Sequence, residues 1–127
     1  MYETQLLIEK FQALLSALER VPRRFKSITK PADFYQTDEG LDKQDAICMI
    51  LIATGEELKN IDRKTDKALF AQYPDIAWRG FMGLRDVLAH TYFQVDAEQL
   101  FNICKDDLPV LIEAIRRIIA DLEDQSN

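Results

Sequence analysis

The sequence contains little histidine, cysteine, glycine or proline. Its 127 residues include one histidine, two cysteines, four glycines and four prolines. One histidine per chain excludes a His pair or a His-rich metal site, so histidine chemistry near neutral pH depends on His90 alone. No apolar run approaches the roughly 20 residues that span a bilayer, and no leader of basic then apolar residues opens the chain. We therefore expect a cytoplasmic protein with no membrane partner.

The chain is also short of positive charge. Sixteen basic and 22 acidic residues give a net charge of -6, which argues against broad, nonspecific binding to a phosphate backbone. The exception is one local basic cluster, which could guide RNA or dock a protein partner. A solvated connector is the favoured interpretation of such a charge run. The cluster consists of Arg20, Arg23, Arg24, Lys26 and Lys30.

The two cysteines, Cys48 and Cys104, lie in apolar segments. This context predicts buried thiols in a reducing compartment, and a disulfide between them is the weaker interpretation. Together with His90 they can be considered as metal ligands, but the C-x-x-C spacing that is typical of such sites is not present. We expect neither a metal nor another cofactor.

The scarcity of helix-breaking residues predicts an all-α protein, because no segment alternates apolar and polar residues at length. The length allows one domain with a real core, so we expect a single domain over 1–127. A first helix is predicted over 3–20, a connector over 21–40 and a second helix over 41–61. The positions expected to face inward in these two helices are Leu7, Phe11, Leu14, Leu18, Ile47, Ile50, Leu51, Thr54, Leu58 and Ile61.

The second half of the chain is also predicted to be helical. Residues 62–74 are polar and end in a Tyr-Pro pair, which predicts a break. Asp75 is expected to cap a third helix that runs to about residue 90. Asp96 resembles the start of a capping box for a short helix, and Pro109 suits the first turn of a final helix. Together these elements predict a four- to five-helix up-and-down bundle. The final helix should bury Leu111, Ile112, Ile115, Ile118, Ile119 and Leu122.

The third helix has a mixed outer face. If it is regular, its core stripe comprises Ala77, Phe81, Leu84 and Leu88. Trp78 and Met82 then lie on the opposite arc, where large apolar side chains need cover. A second copy of the same helix is the simplest cover, so we expect a homodimer. Gly80 and Gly83 fit either a close backbone approach or small residues in the core.

The same arc carries Arg85, Asp86 and His90. An ideal helix separates Arg85 and His90 by about 140°, so the two side chains do not converge unaided. Three arrangements remain open: the helix unwinds near His90, the arginine stem reaches across, or a second subunit completes the site. Asp86 lies four residues before His90 and would favour the imidazolium and orient the ring. Tyr92 would place its hydroxyl near the same edge.

These residue types suit RNA cleavage without a metal. A histidine with a pKa near neutrality can serve as base and then as acid for attack by a ribose 2′-hydroxyl on its own phosphate. Arg85 supplies a permanent cationic fork for the phosphate oxygens. One histidine per chain requires a dimer, or a second group such as Tyr92, if acid and base are separate. From spacing alone, a surface pair of Asp86 and His90 beside a structural arginine is the favoured alternative.

The stretch from Trp78 to Asp96, WRGFMGLRDVLAHTYFQVD, closely resembles the signature of the HepT-like branch of the HEPN superfamily. Its Arg-x4-His-x-Tyr core is matched at Arg85, His90 and Tyr92. The segment IATGE within the second helix and the later DDLP are also similar to this family. The resemblance covers nearly the whole chain.

The resemblance implies a helical-bundle homodimer that acts as the toxin of a toxin–antitoxin pair. It implies a metal-independent endoribonuclease with Arg85 and His90 as catalytic residues in a cleft at the dimer interface, supported by Asp86 and Tyr92. The implied partner is a minimal nucleotidyltransferase antitoxin, which in some members transfers AMP to the tyrosine matched here by Tyr92. Two other functions remain open: a non-catalytic partner of a nucleotidyltransferase, and a helical dimerisation module.

Overall fold

The computed structural model describes residues 3–91 and 94–126, and within these ranges all side chains except those of residues 89–91 and 94. The described chain is all-α, as predicted, apart from one short hairpin. No helix within these ranges combines the length and the apolarity needed to cross a membrane. The elements are α1 (Thr4–Leu18), α2 (Arg20–Phe25), a 3-10 turn (Pro31–Phe34), α3 (Asp38–Lys64), α4 (Ala68–Ala71), α5 (Trp78–Met82), α6 (Leu84–Leu88), β1 (Ala89–Thr91), β2 (Gln94–Val95), α7 (Ala97–Asn102), a π turn (Ile103–Asp107) and α8 (Leu108–Gln125).

Three long helices, α1, α3 and α8, form the core. Every inward position predicted for them is buried, because a buried helix face requires an apolar residue at every third or fourth position. Helix α1 lies along α8 and runs antiparallel to α3. The antiparallel direction follows from two contacts: Lys10 pairs with Glu57 at 3.5 Å, whereas Arg20 lines the same groove as Met49. Fully buried residues such as Phe11 each contribute about 1.5–3 kcal/mol of hydrophobic stabilisation.

Helix α3 is longer than predicted at both ends. It begins at Asp38 because the Thr37 hydroxyl accepts a hydrogen bond from the Gly40 amide at 2.9 Å, which caps the first turn. It ends at Lys64, where the Thr65 hydroxyl donates to the Ile61 carbonyl at 2.8 Å. Local capping, which extends beyond the apolar pattern, accounts for both extensions.

The predicted connector over 21–40 contains more helix than expected. Helix α2 includes Pro22, and a 3-10 turn occupies Pro31–Phe34. Pro22 is the third residue of α2, where the backbone nitrogen has no intrahelical partner to lose. The first helix therefore ends earlier than predicted, at Leu18, but the chain continues in helical form through Pro22.

The predicted helix over 75–90 is wrong at both ends. Its first helical residue is Trp78, and Asp75 does not cap it: the N-cap residue is Ala77, without a side-chain cap. The helix is interrupted at Gly83, and the second part ends at Leu88. The following residues form the antiparallel hairpin β1–β2, in which Ala89 pairs with Val95.

The last two helices are joined without a break. Asp96 caps α7 as predicted, since its carboxylate accepts a hydrogen bond from the Gln99 amide at 3.0 Å. The chain then passes through a π turn directly into α8. Pro109 is in the first turn of α8, as predicted. Proline lacks a backbone N–H and its ring crowds the preceding helical turn, and the wider π turn just before Pro109 leaves room for this ring.

The close approach of α5 to α3 predicts opposite effects of two Gly→Ala substitutions. A Cβ at Gly55 would lie 2.6 Å from the Phe81 carbonyl oxygen, whereas a Cβ at Gly80 would meet nothing within 4 Å. We expect Gly55→Ala to destabilise the fold by about 1–3 kcal/mol through overpacking. Gly80→Ala, the matched control, should be neutral or stabilise by up to about 1 kcal/mol through helix propensity. Urea denaturation measures both, and equal midpoints would contradict the close contact.

Candidate active site

Arg85 and Asp86 lie side by side on the outer surface of α6. Their neighbours Leu84 and Leu88 are 3% and 0% exposed and fix the inner face of this short helix in the core. Both charged side chains are exposed as a result. The described part of the chain contains no salt bridge to either of them, so the Arg85 guanidinium is available to an anion from outside.

His90 lies in β1, two residues beyond the end of α6. Of the three arrangements left open by the sequence, the backbone adopts the first: the helix ends before the histidine. The separation of about 140° and the helical i, i+4 relation of Asp86 to His90 therefore do not apply, because residues in a strand alternate between faces. The His90 side chain and all of Tyr92 lie outside the described residues, so their roles remain predictions.

Trp78 belongs to the core, which corrects the predicted outer face. It is 7% exposed, its ring centroid lies 4.3 Å from that of Phe70, and its indole N–H donates to the Tyr73 carbonyl at 2.9 Å. Met82 is half-buried against the same cluster, while Ala77 is exposed. The interruption at Gly83 rotates α5 relative to α6, so one helical wheel cannot describe both. Trp78 is thus covered within one chain and Met82 in part, so these two side chains do not call for a second copy of the chain.

Gly55 and Gly83 position the polypeptide that carries Arg85. The backbone of Phe81 and Met82 crosses α3 at Gly55, where any side chain would collide with it. At Gly83 the amide donates to the carbonyls of Arg79 and Gly80, which closes α5 before α6 begins. Neither of the two options expected for Gly80 is found, since Gly80 is exposed and has no neighbour within 4 Å of a Cβ. The glycine that permits a close backbone approach is Gly55 in α3, which was not singled out from the sequence. A glycine inside a long helix lowers helix stability by about 1 kcal/mol relative to alanine. Its presence within the second helix was therefore the signal in the sequence for a close contact.

A polar cluster fixes the start of α5 on α8, and the sequence did not indicate it. The Tyr73 hydroxyl donates to Asp121 at 2.6 Å, and Arg117 lies over the Tyr73 ring, 4.9 Å from its centroid. Arg117 also bonds Asp75 at 3.0 Å and holds the pKa of that carboxyl below its usual value. Burial, with the Asp121 hydrogen bond, raises the pKa of Tyr73 to about 12. Asp75 is therefore engaged in an ion pair, in place of the predicted helix cap.

Both thiols are free and buried, as predicted. Burial raises the pKa of Cys48 to about 11 and that of Cys104 to about 12, so both stay protonated near neutral pH. Thiolates are the form that binds metals. The described residues contain no group of three or more His, Cys, Asp or Glu side chains that could hold a metal ion.

Comparison with known proteins shows the family of the chain. The family model described as "Ribonuclease HepT-like" matches residues 14–118, a range that includes Arg85, His90 and Tyr92. The chain belongs to the HepT-like ribonuclease family.

Named relatives come from archaea. The chain is 31% identical over 114 residues to the "Gamma-glutamylcyclotransferase and putative RNase" of Methanocaldococcus jannaschii, covering 90% of this chain and 48% of that protein. It is 34% identical over 80 residues to a "Putative RNase" of the same organism, covering 63% of each. It is 37% identical over 68 residues to the "Probable ribonuclease HepT" of Thermococcus cleftensis, covering 54% of this chain and 58% of that protein.

The chain thus spans about half of the first of these relatives and less than two thirds of the other two. No solved structure gives a significant match.

Proposed function

We propose that this HepT-like protein is a metal-independent endoribonuclease with Arg85 and His90 as its catalytic residues. The observation that carries the proposal is the placement of Arg85 on the exposed face of α6. This helix is followed directly by β1, which contains His90. Membership of a ribonuclease family whose matched range includes both residues supports it.

The reaction follows from these residue types. The His90 imidazole takes the proton of a ribose 2′-hydroxyl, whose oxygen attacks the adjacent phosphorus. Arg85 stabilises the charge that develops on the phosphate oxygens. The bond from phosphorus to the 5′-oxygen then breaks and that oxygen is protonated, which leaves a 2′,3′-cyclic phosphate and a 5′-hydroxyl end. Asp86 is exposed beside Arg85 and is proposed as a supporting residue of the same site, without the helical i, i+4 relation to His90 that the sequence had suggested.

If the acid and the base are separate groups, two copies of the chain can supply both. One step removes a proton and another adds one, yet each chain has one histidine. A homodimer that brings two α6–β1 segments to one cleft supplies a second histidine and a second arginine. Tyr92 is the alternative proton donor within one chain.

The proposed biological role is that of a toxin in the cytoplasm, controlled by a nucleotidyltransferase antitoxin. In the proposed control reaction the Tyr92 hydroxyl attacks the α-phosphate of ATP, so that AMP is attached and pyrophosphate leaves. Tyr92 follows His90 by two residues. The attached nucleotide therefore adds bulk and negative charge to a site that binds an RNA phosphate.

Substitution of the two catalytic residues should abolish RNA cleavage. We expect His90→Ala and Arg85→Ala each to lower the cleavage rate about 100- to 10,000-fold, the usual contribution of a positioned acid or base or of charge stabilisation. Arg79→Ala is the matched control, because Arg79 is also an exposed arginine but lies on α5. Cleavage is measured on a labelled RNA with nuclease-free protein, and circular dichroism verifies the fold. Full activity of folded His90→Ala would refute the proposal.

Mixing the two inactive variants tests the shared cleft. If each site takes Arg85 from one copy and His90 from the other, a mixed dimer contains one intact site. Random exchange between equal amounts makes half of the dimers mixed, so the mixture should recover about a quarter of wild-type cleavage. No recovery, with subunit exchange shown by native mass spectrometry, would mean either that the cleft needs both histidines or that each site uses residues of a single chain.

Tyr92→Phe should remove control by the antitoxin and leave the fold intact. Incubation of the wild type with the neighbouring nucleotidyltransferase and ATP should add adenylate mass to the peptide that contains Tyr92 and suppress RNA cleavage. The phenylalanine variant should gain no mass. Mass gain in a protein that never cleaves RNA would instead identify a non-catalytic nucleotidyltransferase partner, and no response in either assay would favour a dimerisation module.

A further inference from the structure

Residues 20–31 concentrate positive charge in an acidic chain. This stretch contains five cationic and no acidic residues. Its first four cations, Arg20, Arg23, Arg24 and Lys26, are called the basic segment below. Within the described ranges none of the four takes part in a salt bridge. The Arg24 Nη1 atom is buried and has no hydrogen-bond partner there.

The fold places most of these charged side chains on the surface. Val21 is fully buried and Phe25, one turn later, packs its ring against those of Phe34 and Phe101 at 6.2 and 5.2 Å. These two residues define the inner face of α2, so Arg20 and Arg23 are exposed on the remaining arc, while Arg24 is half-buried. The nearest acidic residue that follows, Asp33, already accepts hydrogen bonds from the Thr29 amide and hydroxyl at 2.8 and 2.9 Å.

The basic segment lies at the same end of the bundle as the proposed catalytic residues. Since α1 and α3 are antiparallel, α2 lies beside the first turns of α3, where the Lys43 ammonium donates to the Ser27 hydroxyl. The chain from α5 crosses α3 at Gly55 and continues into α6, which also packs on α3. Helix α7 connects the two regions, because it starts after β2 and ends near Phe101, which contacts Phe25.

A short helix links the basic segment to the hairpin. Helix α7 has six residues and is therefore about 9 Å long. Tyr35, which is 58% exposed, directly follows Phe34, whose ring packs against Phe25 of α2. Exposed rings and cations together are typical of surfaces that bind single-stranded nucleic acid.

We propose that the basic segment binds phosphates of a single-stranded RNA at a short distance from the bond that is cut. This inference rests on the proposed ribonuclease function, which supplies the ligand. A run of cations with no acidic residue among them is complementary to a polyanion, and a protein partner is an outcome that the test below separates. The basic segment is thus a local positively charged binding surface for RNA in a protein whose net charge is -6.

The test compares two triple variants of equal charge. Arg20→Gln, Arg23→Gln and Lys26→Gln together neutralise the exposed part of the basic segment. Arg63→Gln, Lys64→Gln and Lys67→Asn are the matched control at the opposite end of α3, and Asn suits the left-handed backbone of Lys67, whose φ is 64°. Each change takes the net charge from -6 to -9, since three cations are lost from the -6 of the chain.

The probe is a fluorescent oligoribonucleotide of about 12 nucleotides with 2′-O-methyl groups, which the proposed reaction cannot cleave because the attacking hydroxyl is blocked. We expect the basic-segment variant to bind about 100-fold more weakly at 0.1 M salt, with a salt slope smaller by about 2, if three phosphate contacts are lost. The control should bind as the wild type does.

Several outcomes would overturn the inference: no binding of the probe by the wild type, equal loss in both variants, or loss of nucleotidyltransferase binding with RNA binding intact. The last outcome would make the basic segment a protein-docking surface. Binding that depends on the basic segment in a protein that cleaves no RNA would support the inference and contradict the proposed function. Circular dichroism and denaturation midpoints confirm that both variants fold.

Discussion

The contact on which the site depends is the crossing of the Phe81–Met82 backbone over Gly55. It brings α5 onto α3 closely enough for Leu84 and Leu88 to enter the core. Their burial orients α6, and with it the exposed arginine. Helix α6 has only five residues and could not persist on its own, because an isolated helix of this length is unstable in water. Arg85 is therefore held in place by packing of α6 on α3.

The parts of the fold that could be predicted from sequence are those governed by burial. In α1, α3 and α8 each position that was expected to face inward is buried, because 3.6 residues per turn forces the apolar pattern. The cap at Asp96 was also identified, since a capping carboxylate acts on its own next turn. Helical periodicity and capping each depend on residues within about one turn of one another, so both can be read from a short stretch of sequence.

What the sequence did not reveal depends on contacts between distant residues. The helix that carries Arg85 was expected to continue to residue 90, but pairing of Ala89 with Val95 makes the chain extended from Ala89. Trp78 was assigned to the surface because the wheel assumed one regular helix through Gly83. The ion pair of Asp75 with Arg117 joins residues 42 positions apart. No spacing rule within a single helix predicts such contacts.

The burial of both cysteines has a practical consequence for handling the protein. With a pKa of about 11, Cys48 is ionised in about one molecule in ten thousand at pH 7, and Cys104 in fewer. Oxidants and alkylating reagents attack the thiolate, so the native molecule should tolerate air and storage without a reducing agent. Loss of thiols in an ageing preparation would then signal unfolding, and their titration would serve as a simple quality control.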